Sequence, residues 1–163
     1  MILIALGANL DSSVGEPHVT LKAALKELAA QSVRVLKVSA LYRTPAWPDP
    51  ADPPYVNAVA EIATERDPAS LLTLLHAVEE RFGRVRAHVN GPRTLDLDLL
   101  AYDERIETDW PVLPHPRLSE RAFVLVPLSD IAPDWRHPVS RVPLSQLLSA
   151  LPSKERDAVQ RLS

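Results

Sequence analysis

At 163 residues, 46% hydrophobic and 24% charged, the chain suits one filled core and is too short for two ordinary domains, so a single domain over 1–163 is expected. This composition excludes a disordered or fibrous protein, although 16 prolines predict long stretches of stiff loop. A net charge of −3 excludes a whole-surface footprint for nucleic acid, and the lack of cysteine leaves only carboxylate and imidazole as metal ligands.

Residues 1–6 form an apolar run that predicts a central strand ending where Gly7 permits an unusual turn. Residues 16–31 place Pro17 at a helix start and repeat Leu21, Leu25 and Leu28 on one face, predicting the first helix. Residues 33–42 alternate as a second strand, and the proline-dense stretch 44–54 predicts a long loop. Residues 55–62 predict a third strand with Val56, Ala58, Ala60 and Ile62 on one side and Tyr55, Asn57, Val59 and Glu61 on the other. Asp67 and Pro68 then read as N-cap and first helical residue of a second helix striped by Leu71, Leu75, Val78 and Phe82 and closed by Gly83. Residues 94–103 predict a fourth strand, completing a βαββαβ order. That order is an α+β, ferredoxin-like sheet with helices packed on it and C-terminal additions. Beyond it the sequence suggests a short hairpin near Ile106, a helix over 119–128, a short helix after Pro143, and a surface helix or frayed tail in the last ten residues.

In Asp96-Leu97-Asp98 the strand period turns both carboxylates to one face while the leucines anchor the strand, an arrangement suited to a hard cation. Taken alone, such a pair is better explained as two solvated aspartates on a sheet face. The neighbours reverse that preference: residues 81–95 hold Arg81, Arg84, Arg86 and Arg93 and no acid. Guanidinium forks match phosphate oxygens, so arginines beside metal-binding carboxylates point to a polyphosphate. Of only 4 glycines in the chain, Gly83 and Gly91 bracket this loop, as suits a lid with hinges. No GxxxxGK[ST] or GxGxxG pattern occurs, so a nucleotide would be held by side-chain cations and metal rather than a glycine-rich cradle. Tyr55 and Asn57 share a strand face and suit a flat heterocycle with a polar edge, with Phe123 as a second stacking ring; taken singly, either aromatic is more often core or interface packing than a ligand contact. His115, between Pro114 and Pro116, is either a phosphate contact or a plain loop residue.

Gly7-Ala8-Asn9-Leu10, Tyr42-Arg43-Thr44-Pro45, Tyr55-Val56-Asn57-Ala58, Gly83-Arg84-Val85-Arg86, Gly91-Pro92-Arg93-Thr94-Leu95-Asp96-Leu97-Asp98-Leu99, Pro114-His115-Pro116 and Arg121-Ala122-Phe123 run in this order along the chain. Through them the sequence resembles the 6-hydroxymethyl-7,8-dihydropterin pyrophosphokinase family, and the block from Gly91 to Leu99 is the most specific of them. The resemblance implies a ferredoxin-like fold and transfer of pyrophosphate from ATP to 6-hydroxymethyl-7,8-dihydropterin in folate synthesis. It implies that Asp96 and Asp98 hold two Mg ions, and that Arg84, Arg93, His115 and Arg121 contact the ATP phosphates. Arg84, Arg93, Asp96 and Asp98 form the implied catalytic set. Tyr55 and Phe123 would sandwich the pterin, with Asn57 and main-chain groups at Thr44, Pro45 and Ala46 reading its edge, and Glu79 would support the arginines. The loops 44–54 and 84–92 are the implied lids, with Trp47 a candidate lid aromatic. Three departures from the family pattern stand out: a loop after Arg86 one residue shorter than a well-known version, Asn90 where tryptophan is common, and Pro116 where some relatives carry tyrosine.

The competing classes are an RNA-binding module and a non-catalytic ligand-binding domain on the same scaffold. The first lacks its stacking aromatics and the second has no need of a metal site. No leader-like segment and no apolar run near the ~20 residues of a membrane span is present, so a soluble, cytoplasmic monomer without nucleic-acid or membrane partners is expected.

Overall fold

The computed structural model describes residues 1–84 and 93–162. The predicted arginine lid over 84–92, with Arg86, Asn90 and Gly91, therefore lies almost wholly outside the described residues, Arg84 excepted. The strands are β1 (Ile2–Ala8), β2 (Arg34–Val38), β3 (Tyr42–Thr44), β4 (Tyr55–Ala63), β5 (Asp96–Tyr102) and β6 (Gln160–Arg161). The helices are α1 (Pro17–Ala30), α2 (Pro68–Arg81), α3 (Ala122–Ile131), α4 (Leu144–Ala150) and α5 (Ser153–Asp157), with a 3₁₀ turn at Leu118–Glu120.

The sheet runs β5-β1-β4-β3-β6, with β2 also on β4, and every pairing between these strands is antiparallel. Every residue of β1 is buried because the strand is flanked by β4 and β5 and covered on both faces. Ile4, Leu6, Ala58, Ala60, Ile62, Leu97 and Leu99 turn to one face, where Leu21, Ala24 and Leu28 of α1 and Leu71, Leu75 and Val78 of α2 complete the core. Leu3, Ala5, Val59 and Leu100 turn to the other, against Val124, Leu125 and Leu128 of α3 and Leu144 of α4. This two-faced burial is the strand period made into layers.

The local rules behind the helices hold. Pro68 opens α2, the Asp67 carboxylate accepts the Ser70 N–H at 2.8 Å, and Gly83 takes φ +84° just beyond the helix end. Pro17 opens α1, whose buried face is Thr20, Leu21, Ala24 and Leu28.

Five expectations are corrected. Gly7 does not end β1, which continues to Ala8; a close neighbour across the sheet, rather than a turn, accounts for the glycine. The stretch 33–42 is two strands: Ser39 N–H donates to Val59 O at 2.9 Å while the Ser39 hydroxyl accepts the Val59 N–H at 3.0 Å, so a side chain takes over one rung of the ladder. The helix expected over 119–128 is a 3₁₀ turn followed by α3, which extends to Ile131. The final residues contain the surface helix expected there, α5, but the end is not frayed: β6 pairs with β3 through Tyr42–Arg161 and Arg43–Gln160, so the tail is tied to the sheet. Near Ile106 the expected hairpin is a single bridge between Glu107 and Leu113.

Candidate active site

The site lies on the α3 face of the sheet, at the end of three adjacent strands. Gly7 of β1 pairs with Asn57 of β4 on one side and Asp96 of β5 on the other, and Ala5 pairs with Val59 and Asp98. The centre of the floor is thus made of residues with little or no side chain. A Cβ on Gly7 would stand 2.8 Å from Asn57 Oδ1 and 3.7 Å from the Tyr55 ring, so glycine is required by close approach. Asn57, buried, donates from Nδ2 to the Thr44 hydroxyl at 2.7 Å, which fixes the orientation of its amide.

The charged end is built on β5. Asp96 Oδ1 accepts Arg84 Nη1 at 2.8 Å and Oδ2 accepts Arg93 Nη1 at 2.9 Å. Arg84 also donates to Glu79 of α2, whose side chain is 1% exposed and accepts the Leu97 N–H at 2.8 Å. Glu79 therefore ties the helix, the strand and one arginine together. Asp98 meets Arg121 at 3.6 Å, an ion pair without hydrogen-bond contact. Burial first, and the Asp96 carboxylate second, push the Asp98 carboxyl up to about 6, against the opposing pull of Arg121, Arg93 and Arg84. His115 is pushed down to about 4 by burial, assisted by Arg121. Its Nδ1 accepts the Arg117 N–H at 3.2 Å, so the neutral ring carries its proton on Nε2 as a donor. Burial also raises the Tyr55 phenol, with Arg93 acting against the shift.

Around this floor is a cavity of about 390 Å³. Thr44, Pro45, Tyr55, Asn57 and Phe123 line it together with Arg93, Asp96, Asp98 and Arg121, the Arg121 guanidinium standing 5.4 Å from the Phe123 ring centroid. These nine were all expected from sequence as site residues; of the others so expected, Ala46 is buried and, like Arg84 and His115, is not among the lining residues. Arg84 is joined to the wall through Asp96, and His115 through Arg117, whose N–H its Nδ1 accepts.

Sequence reasoning missed Arg117, which precedes the 3₁₀ turn, Glu120 at the end of that turn and Glu155 of α5, all in the wall. Trp47 also lines it, 62% exposed, with the Arg117 guanidinium 5.9 Å from its ring centroid. Glu79 had one local signal: it falls four residues after Leu75, on the buried stripe of α2.

Two hard carboxylates facing one cavity, the charged form of one disfavoured by burial and by its neighbour's negative charge, fit a divalent cation whose positive charge would offset both. Among the described residues no group of three His, Cys, Asp or Glu is placed to hold a metal by itself. The remaining donors would have to come from a ligand such as phosphate and from water.

Taken with the fold, a cavity whose wall combines aromatic rings and a buried amide with carboxylates paired to guanidinium groups defines a class: an antiparallel α/β protein that can bring a flat, polar-edged ring to a charged centre. Residues 3–133 match the family model of 7,8-dihydro-6-hydroxymethylpterin-pyrophosphokinase (HPPK), and the chain belongs to that family. It is 44% identical over 155 residues to a 2-amino-4-hydroxy-6-hydroxymethyldihydropteridine pyrophosphokinase of Pseudomonas aeruginosa, covering 93% of this chain and 91% of that one. It is 40% identical over 148 residues to the protein of the same name from Synechocystis, covering 90% and 73%. The solved HPPK-DHPS of Plasmodium falciparum shares the fold at a TM-score of 0.66 and 14% identity; 91% of this chain matches 43% of that longer one.

Proposed function

We propose that the chain transfers the terminal pyrophosphoryl group of ATP to 6-hydroxymethyl-7,8-dihydropterin, giving the pterin diphosphate and AMP, as a step of folate biosynthesis. The observation that carries this reading is the meeting, in one cavity, of Tyr55, Asn57 and Phe123 with Asp96, Asp98, Arg93 and Arg121. Family membership adds the identity of the ring and of the donor.

In this reading Tyr55 and Phe123 sandwich the pterin, while the Asn57 amide, oriented by Thr44, and the main chain at Thr44, Pro45 and Ala46 read its edge. Arg84, Arg93 and Arg121 take the phosphate oxygens, and the neutral His115 offers its Nε2–H to the same chain of anions. Asp96 and Asp98 would hold two Mg ions, which would supply charge neutralisation along the polyphosphate. The hydroxymethyl oxygen attacks the β-phosphorus in line, and AMP departs. Positioning and electrostatics carry the step, so no protein general base is assigned.

The loop 44–54 acts as a lid over the ring, supported by Trp47 at the cavity wall beside Arg117. The sheet is read as ferredoxin-like: β5-β1-β4 with β2 and β3 together as the fourth member supports that order. The chain is read as one domain and a monomer of the cytoplasm; no helix among the described residues is long and apolar enough to cross a membrane.

Product analysis tests the function. ATP, Mg²⁺ and the pterin should give AMP rather than ADP, only when the pterin is present, and Asp96→Ala should abolish it. A folded protein yielding ADP or no nucleotide product under these conditions would overturn the proposal.

A further inference from the structure

The groups assigned to phosphate and metal are, in the free protein, bound to one another. Both oxygens of Asp96 are occupied, Oδ1 by Arg84 at 2.8 Å and Oδ2 by Arg93 at 2.9 Å. The three side chains are shielded from water, at 11%, 21% and 23% exposure for Arg84, Arg93 and Asp96. Charge-assisted hydrogen bonds in such a setting are well above the strength of a surface pair. Asp98 differs: its arginine partner among the described residues, Arg121, stands at 3.6 Å.

A polyphosphate arriving alone would compete with Asp96 for the two guanidinium groups and would place its own negative charge beside that carboxylate. A divalent cation arriving alone needs Asp96, and would be placed beside two guanidinium groups. Arriving together they make an exchange: the arginines pass from carboxylate to phosphate and the carboxylate passes from arginine to cation, so no buried charge is left without a partner. Glu79 keeps Arg84 at the site through this exchange, because its contact with Arg84 does not involve Asp96.

Resting on the polyphosphate reading of this site, we propose that Asp96 is the resident counter-ion of Arg84 and Arg93, so that the site takes up a polyphosphate and a divalent cation jointly and excludes either alone. The role is distinct from metal binding and predicts the opposite effect when metal is absent. Removing the Asp96 charge unmasks the arginines, so a variant that fails with metal should bind a bare polyphosphate better than the wild type does.

The test is calorimetric titration of the full chain with inorganic tripolyphosphate, once in EDTA and once with excess Mg²⁺, for the wild type, Asp96→Asn and Asp98→Asn. Folding of each is checked by circular dichroism and thermal midpoint. The wild type should bind tightly only with Mg²⁺. In EDTA, Asp96→Asn should bind about 10-fold more tightly than the wild type, within the range of typical site coupling, and its affinity should gain little from Mg²⁺. Asp98→Asn removes the same charge from the same cavity but, among the described residues, releases no hydrogen-bonded arginine, so its affinity in EDTA should change by less than about 3-fold. Equal gains in both variants would reduce the effect to general electrostatics and overturn the proposal, as would no gain in Asp96→Asn or a wild type indifferent to Mg²⁺. If no protein binds tripolyphosphate in either condition, the polyphosphate reading falls and this inference with it.

Discussion

Replacing Asp98 by asparagine should make the metal-free protein more stable while removing its activity. The Asp98 carboxyl is pushed up from 3.8 to about 6, chiefly by burial and then by Asp96. A carboxyl whose folded-state pKa exceeds its unfolded value holds its proton more tightly in the folded protein, so the wild type loses stability as pH rises from about 4 through about 6. At ~1.4 kcal/mol per pH unit that interval is worth about 3 kcal/mol. The side chain is still 31% exposed, and water screens part of the effect, leaving about 2 kcal/mol at neutral pH. For a chain of this length that corresponds to a rise in melting temperature of about 4–8 °C. Differential scanning calorimetry of wild type and Asp98→Asn in EDTA, from pH 4 to pH 7.5, reads it directly. The gain should be near zero at the acid end, grow towards about pH 6 and then level off. Addition of Mg²⁺ and ATP should reverse the ranking, since only the wild type gains the binding energy of the metal nucleotide. A variant less stable at pH 7.5 in EDTA would show that the pair with Arg121 outweighs burial, and a gain independent of pH would refute the electrostatic origin.

Three further outcomes follow from single contacts. Gly7→Ala places a methyl group 2.8 Å from Asn57 Oδ1; steady-state kinetics should show the KM for the pterin raised about 10-fold with the KM for ATP little changed, and urea unfolding a loss of about 1–3 kcal/mol. Glu79→Gln removes the buried charge that anchors Arg84 and leaves Asp96 as its remaining described carboxylate partner, so stability should fall by about 1.5–3 kcal/mol and kcat should fall with it when assayed below the melting transition. Ser39→Ala leaves the buried Val59 N–H without an acceptor; the urea midpoint should drop by the equivalent of about 1–3 kcal/mol, with kcat and both KM values unchanged.

The parts of this protein that could be read from its residues are those where one physical rule acts alone. The α2 start at Asp67-Pro68, its end before Gly83, and the alternation through β4 and β5 each follow from capping or period, and each is found in place. The pair Asp96 and Asp98 was legible because the strand period carries both to one face. What was not legible depends on partners distant in sequence. Ser39 sits inside an alternating run, and only its position opposite Val59 makes it the break between β2 and β3. Gly7 looks like a strand terminus until Asn57 is seen to occupy the space a side chain would need. Glu155 and β6 come from a short tail with too little pattern to signal a strand, and they reach the cavity and the sheet edge through tertiary packing. The pairing of Asp96 with Arg84 and Arg93 likewise could not be read in advance, since acid and base in the same block suit solvent as well as each other.

The most direct test of the chemistry is the fate of the oxygen on the acceptor. With ¹⁸O in the hydroxymethyl group of the dihydropterin, ATP and Mg²⁺, the label should be found in the oxygen bridging the pterin and its first phosphorus, with unlabelled AMP released, as ³¹P NMR and mass spectrometry would show. Loss of the label from the pterin product, its appearance in AMP, or formation of ADP with a pterin monophosphate would contradict attack by that oxygen on the β-phosphorus.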